Sequence, residues 1–184
     1  MRRTSPKLLK TYLALFVFAF VAFAGQSYAS AQTGVYATFT AAKTDVNNTN
    51  WIYGPTVGAY FDSSHFAVLE WGVDLRGSFL GGAGSNQLHS GLIGPRVVAH
   101  LPIIPLKPYA EGLVGVGHLK TGEGSEQISA TKFEYQVVGG VELTILPRLD
   151  WRVIEASYGG LPGIANGINP TTLSTGLVFR LPIP

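Results

Sequence analysis

At 184 residues the chain has the length of one domain, and 23 glycines beside 13% charged and 46% hydrophobic residues exclude both a disordered chain and a helical bundle. The formal charge of +2 rests on an N-terminal segment expected to be removed, so it gives no electrostatic basis for nucleic-acid binding. Cysteine is absent, which excludes a disulfide framework and the lipid-attachment site of a lipoprotein.

In chain order, Arg2, Arg3, Lys7 and Lys10 precede an uncharged apolar run, Leu13 to Ala24. Ala29-Ser30-Ala31 then supplies a small-x-small cleavage site before Gln32. The run is short against the ~20 residues of a spanning helix. Residues 1–31 therefore read as a cleaved secretory signal peptide and 32–184 as one exported domain. Without those four cations, nine of the 13 basic residues remain against 11 acidic ones, so the mature chain is slightly acidic.

Past Gln32, extended segments and breaks alternate. Strands are expected at Gly34–Ala42, Ile52–Phe61, Phe66–Leu80, Leu88–Leu101, Pro108–Leu119, Phe133–Ile145, Leu149–Tyr158 and Thr172–Leu181. Polar breaks follow the first, third, fifth and seventh. Tight connections at Asp62–His65, Pro102–Pro105 and Leu146–Arg148 follow the second, fourth and sixth. All long breaks then fall at one end of the sheet, as in an eight-stranded antiparallel up-and-down barrel.

The period-two alternation decides which face is apolar. In the third strand Leu69, Trp71, Val73, Leu75 and Phe79 oppose Glu70, Asp74, Arg76 and Ser78. In the sixth, Phe133, Tyr135, Val137 and Val141 oppose Glu134, Gln136, Gly140 and Glu142. Gly54, Gly58, Gly72, Gly94, Gly140 and Gly176 fall mostly with the charges, and small residues beside long charged ones suit a narrow lumen. Apolar-out and polar-in is the transmembrane arrangement. The fifth strand is weaker, with Leu113 out of pattern. In the seventh, Glu155 falls with the apolar positions, which places it at the rim or calls for a bulge after Val153.

The expected lumen holds Glu70, Asp74, Arg76, Arg96, Glu111, Glu134, Glu142, Asp150, Arg152 and Arg180. Charges of both signs in so small a space must pair, which makes a plug that fixes register; the alternative is a narrow gated pore. Aromatics near strand ends suggest two girdles, Trp51, Tyr53, Phe79, Phe133, Tyr135 and Tyr158 by the loops, and Phe61, Phe66, Tyr109, Trp151 and Phe179 by the turns, with Trp71 mid-strand. His89 and Ser90 are strand neighbours on opposite faces, so they form no catalytic pair, and no enzyme is expected. Neither metal-ligand spacing nor a cofactor motif is present, and Gly81–Gly84 opens no helix as a phosphate loop would.

Ser174, Gly176, Phe179 and Leu181 occupy the four positions of a polar-x-Gly-x-x-aromatic-x-hydrophobic C-terminal motif. With it, the chain from Gln32 onward resembles the small bacterial outer-membrane β-barrel family, the OmpA-like transmembrane domain and its relatives. Pro182-Ile183-Pro184 extend past Leu181, where that family usually ends. The resemblance implies insertion in a Gram-negative outer membrane, recognition of the last strand by the barrel assembly machinery, and lipid as surroundings. It also implies a monomer with a structural or surface-contact role. No peptidoglycan-binding domain follows, so that anchoring role does not carry over. The competing expectations are a soluble periplasmic lipocalin-like ligand-binding barrel, and a narrow porin-like pore or a lipid-modifying barrel enzyme using His118.

Overall fold

Alternating apolar and polar residues bury one face only, and a sheet of eight such strands hides its polar face by closing on itself. The computed structural model describes residues 32–44, 50–66, 68–82, 86–101, 104–121, 128–163 and 168–182. The expected signal peptide with Ala29 and Ala31 lies outside the described residues. The strands are β1 (Gln32–Thr44), β2 (Asn50–Phe66), β3 (Leu69–Gly81), β4 (Gln87–Ala99), β5 (Leu106–Thr121), β6 (Ile128–Leu146), β7 (Leu149–Gly160) and β8 (Thr171–Leu181). They form one closed barrel in sequence order, every pair antiparallel. The seam pairs β1 with β8, from Thr33 opposite Leu181 to Lys43 opposite Thr171.

Several strands run beyond the limits expected of them. Much of the polar stretch after β5 is itself strand, because residues from Ile128 on find backbone partners in β5, Ser129 opposite Lys120 and Thr131 opposite His118. Asp62–His65 is not a turn. β2 continues to Phe66 through a bulge, with Asp62 opposite Gly72, Ser64 opposite Trp71 and Phe66 opposite Leu69. Trp71 consequently sits near the start of β3 and joins the turn-end aromatics. The connection at 100–105 spans as many residues as that at 122–127, so loop length alone separates the two ends less cleanly than the strand order does.

The exterior is apolar. Phe39 (60% exposed), Trp71 (50%), Val137 (64%) and Leu177 (50%) project outward, and so does Phe179. The interior is stacked in layers. At the loop end Ala42, Ile52, Leu80, Leu88 and Leu119 each carry the inward parity of their strand, and Leu161 and Ile168 fold in from the last loop to complete an apolar cap. An isolated bridge between Leu161 and Ile168 holds that loop segment across the mouth. Below the cap lies a hydroxyl layer, then the charged groups.

Candidate functional site, a ring of ion pairs in the lumen

Inward parity delivers Arg76 from β3, Arg96 from β4, Glu111 from β5 and Glu142 from β6 to the same level of the lumen. β7 contributes twice. A bulge between Arg152 and Glu155 inserts one extra residue opposite β8, so both side chains point inward although they are three apart in sequence. Ile154 is exposed on the outer face. The phase change after Val153 is thus real, and Glu155 belongs to the lumen, 2% exposed.

These six residues close a ring. Arg76 bonds Glu111, Arg96 Nη1 donates to Glu111 Oε1 at 2.7 Å, and Arg96 Nη2 donates to Glu142 Oε2 at 3.1 Å. Arg152 Nη2 reaches Glu142 Oε1 at 2.8 Å, its Nη1 reaches Glu155 Oε2 at 2.8 Å, and Arg76 Nη1 returns to Glu155 Oε1 at 2.9 Å. Three cations alternate with three anions, and no ring side chain is more than 3% exposed. Alternation answers the desolvation problem: every charge has an opposite charge on each side.

Tyrosines line the ring. The Arg96 guanidinium lies 4.3 Å from the Tyr60 ring centre and 4.4 Å from that of Tyr109, and Arg152 lies 4.0 Å from Tyr36 and 4.8 Å from Tyr109. The Tyr109 hydroxyl donates to Glu155 Oε2 at 2.7 Å and that of Tyr36 to Asp74 Oδ1 at 2.8 Å. Each ring lies over a glycine directly opposite it on the next strand: Tyr36 over Gly58, Tyr60 over Gly34, Tyr109 over Gly140. A Cβ at any of those glycines would overlap the aromatic ring. The lumen glycines therefore make room for tyrosines as well as for charges.

Around this ring the remaining inward groups settle by position. Toward the turns, Asp150 takes Lys107 at 2.8 Å and Arg180 at 3.2 Å, Asp62 lies 3.6 Å from Arg96 Nε, and His100 lies 3.4 Å from Glu70. Toward the loops, Glu134 is held by Ser90 Oγ at 2.6 Å and Gln136 Nε2 at 2.7 Å rather than by a cation. A hydroxyl ladder links Ser174, Thr40, Thr56 and Ser78 in steps of 2.9 Å. It borders a cavity with room for about one water molecule.

Of the lumen residues expected from the sequence, Arg76, Arg96, Glu111, Glu142 and Arg152 meet in the ring, and Asp74 bonds Arg76 Nε at 3.1 Å. Glu70 and Arg180 lie toward the turns and Glu134 toward the loops. Glu155, Asp62, Lys107 and the three tyrosines complete the network. Inward parity is legible for Asp62, Lys107 and the tyrosines, Lys107 with Tyr109 and Glu111, Tyr36 with Gly34 and Thr38, whereas Glu155 turns inward only through the bulge. Tyr109 faces the lumen and not the turn-end girdle. Leu113 follows the inward parity too, packing against Leu92, Tyr109 and Val138. In the C-terminal motif Ser174 faces the lumen, and Phe179 projects outward beside Leu146, Pro147 and Leu149. His89 and Ser90 point to opposite faces, His89 edge-on to Phe79 outside and Ser90 to Glu134 inside.

No protein-family model matches the sequence, and no curated protein matches it. Solved structures do match. The crystal structure of Neisserial surface protein A shares 18% identity at a TM-score of 0.61, covering 83% of this chain and 99% of that one. Ail, the attachment invasion locus protein of Yersinia pestis, shares 16% identity at 0.53, covering 84% and 100%. The chain has the fold of the small outer-membrane β-barrels. The apolar outside and polar inside of the strands fit that fold, and in this sequence the ring of ion pairs occupies the barrel interior.

Proposed function

We propose that the protein spans an outer membrane as a sealed barrel, short turns toward the periplasm and loops outside, with a structural or surface-contact role and no enzymatic one. One observation carries the reading: every carboxylate among the described residues faces the lumen, while Trp, Phe, Leu and Val cover the outside. A soluble lipocalin-like barrel would need the reverse. Support for a sealed lumen comes from the ring, with no ring side chain more than 3% exposed, and from the apolar cap above it. The last strand, with Phe179 outward, is the segment the assembly machinery would read, and the loops at 45–49, 82–86, 122–127 and 161–170 are the contact surface.

Fractionation tests the first part. The protein is expected in the outer-membrane fraction, resistant to carbonate or urea extraction, with heat-modifiable gel mobility; recovery wholly in the soluble fraction refutes it. Planar bilayers test the second. No steady unitary conductance is expected, and well-defined open steps would refute the plug.

A further inference from the structure

One sector of the outer face differs from most of the others, although β1 also carries small and charged residues, Ala41 and Lys43, at its loop end beside Tyr53 and Trp51. At the loop ends of β2, β3, β7 and β8 the outermost outward positions include Trp51, Tyr53, Phe79, Tyr158 and Leu173, as an interfacial belt requires. On β4, β5 and β6 the equivalent positions hold Gln87 and His89, His118 and Lys120, and Ser129 and Thr131. Register gathers them into one patch. Gln87 lies opposite Lys120 and Lys120 opposite Ser129; His89 lies opposite His118 and His118 opposite Thr131. Directly opposed side chains on one face stand roughly 4.5–5.5 Å apart at Cβ, so the six form one patch two strand spacings wide, with His118 and Lys120 at its centre.

The patch is already partly ordered. His118 Nδ1 lies 2.8 Å from Thr131 Oγ1 and its Nε2 lies 3.4 Å from Ser129 Oγ. Immediately toward the barrel middle, Val116 and Phe133 are opposed, 56% and 53% exposed, and begin the apolar band. No carboxylate among the described residues faces this side. An ammonium, two imidazoles, two hydroxyls and an amide set against an apolar band match a group that is anionic, rich in acceptors and attached to hydrocarbon.

We propose that this patch binds the phosphate headgroup of an amphiphile in the outer leaflet, with the acyl chains lying along Val116 and Phe133. The inference rests on the membrane-spanning reading.

The full mature chain would be folded in nanodiscs of zwitterionic phosphatidylcholine and checked by heat-modifiable mobility, which keeps the membrane reading separate from the patch. Binding of bisphosphorylated lipid A, of the same lipid after phosphatase treatment, and of inorganic phosphate is then compared by native mass spectrometry. At least tenfold preference for the phosphorylated lipid is expected, with inorganic phosphate failing to compete; this arm needs no variant. His118→Ala combined with Lys120→Gln should remove most of the preference, whereas Lys43→Gln, beside Trp51 on β1 and β2, should keep it. Equal binding of the dephosphorylated lipid, full competition by inorganic phosphate, or unchanged preference in the double variant would each overturn the proposal. So would release of free fatty acid, which would make the patch catalytic.

Discussion

Glu155→Gln tests the ring most directly. The substitution keeps the shape of the side chain and removes its charge. Glu155 answers Arg76 at 2.9 Å and Arg152 at 2.8 Å, and also accepts the Tyr109 hydroxyl at 2.7 Å. Two guanidiniums then share the remaining acids at a site that is 2% exposed. Breaking a buried pair by removing one partner costs about 3–5 kcal/mol. With a urea slope of about 2 kcal/mol per molar, that moves the unfolding midpoint down by roughly 1.5–2.5 M. The assay is urea unfolding of the refolded barrel in detergent, read by tryptophan fluorescence and by heat-modifiable mobility. A ring makes a second demand that separate pairs do not. Arg76 and Glu142 stand at opposite corners, so once Arg76→Met has opened the circuit, Glu142→Gln should cost at least about 1 kcal/mol less than it does alone. A Glu155→Gln cost below about 1 kcal/mol, or Arg76 and Glu142 effects that add within about 0.5 kcal/mol, would refute the ring as a cooperative unit.

Gly140→Val should destabilise the barrel by about 1–3 kcal/mol, because its side chain must displace the Tyr109 ring, while Gly139→Ala, facing open space, should stay within about 0.5 kcal/mol in the same urea assay. Phe179→Asp, on the outer face at the turn end, should sharply lower the yield of folded barrel in the outer-membrane fraction, whereas Thr171→Ser, exposed at the loop end, should not; equal yields would count against the assembly-signal reading. Val178 is unsuitable as a silent control there, since it is fully buried against Tyr36 and Tyr60 and a hydroxyl at that point would itself be costly.

The faces of β3, β4 and β6 are legible in the sequence because the charges on them fall on one parity without interruption. β7 is not, because a bulge changes phase and either phase leaves an acceptable local sequence; only the need of Arg76 and Arg152 for a shared acid selects the inward Glu155. The tyrosines escape a composition argument for a related reason. Aromatics are expected at barrel interfaces, and what turns Tyr36, Tyr60 and Tyr109 inward is a glycine on the neighbouring strand, which is a matter of register. The apolar cap hides in the same way: Ile52, Leu80, Leu88 and Leu119 have lumen parity but read as ordinary strand residues until the last loop brings Leu161 and Ile168 over them. Polar composition marks a loop in the sequence, yet serines and threonines such as Ser129 and Thr131 extend a strand wherever a backbone partner continues.

The ring draws its six members from β3, β4, β5, β6 and β7, and none from β1, β2 or β8. Among the described residues the β1–β8 seam is crossed by the Thr40–Ser174 hydroxyl contact at 2.9 Å and by no ion pair. The Arg76–Glu155 bond at 2.9 Å nevertheless spans the lumen from β3 to β7 and depends on the closed wall. Arg76 and Glu155 stand four strands apart along the sheet, roughly 19 Å at a strand spacing of about 4.8 Å, so the ring can close only as the wall curls, and joining the first strand to the last fixes the curvature that holds its six charges together.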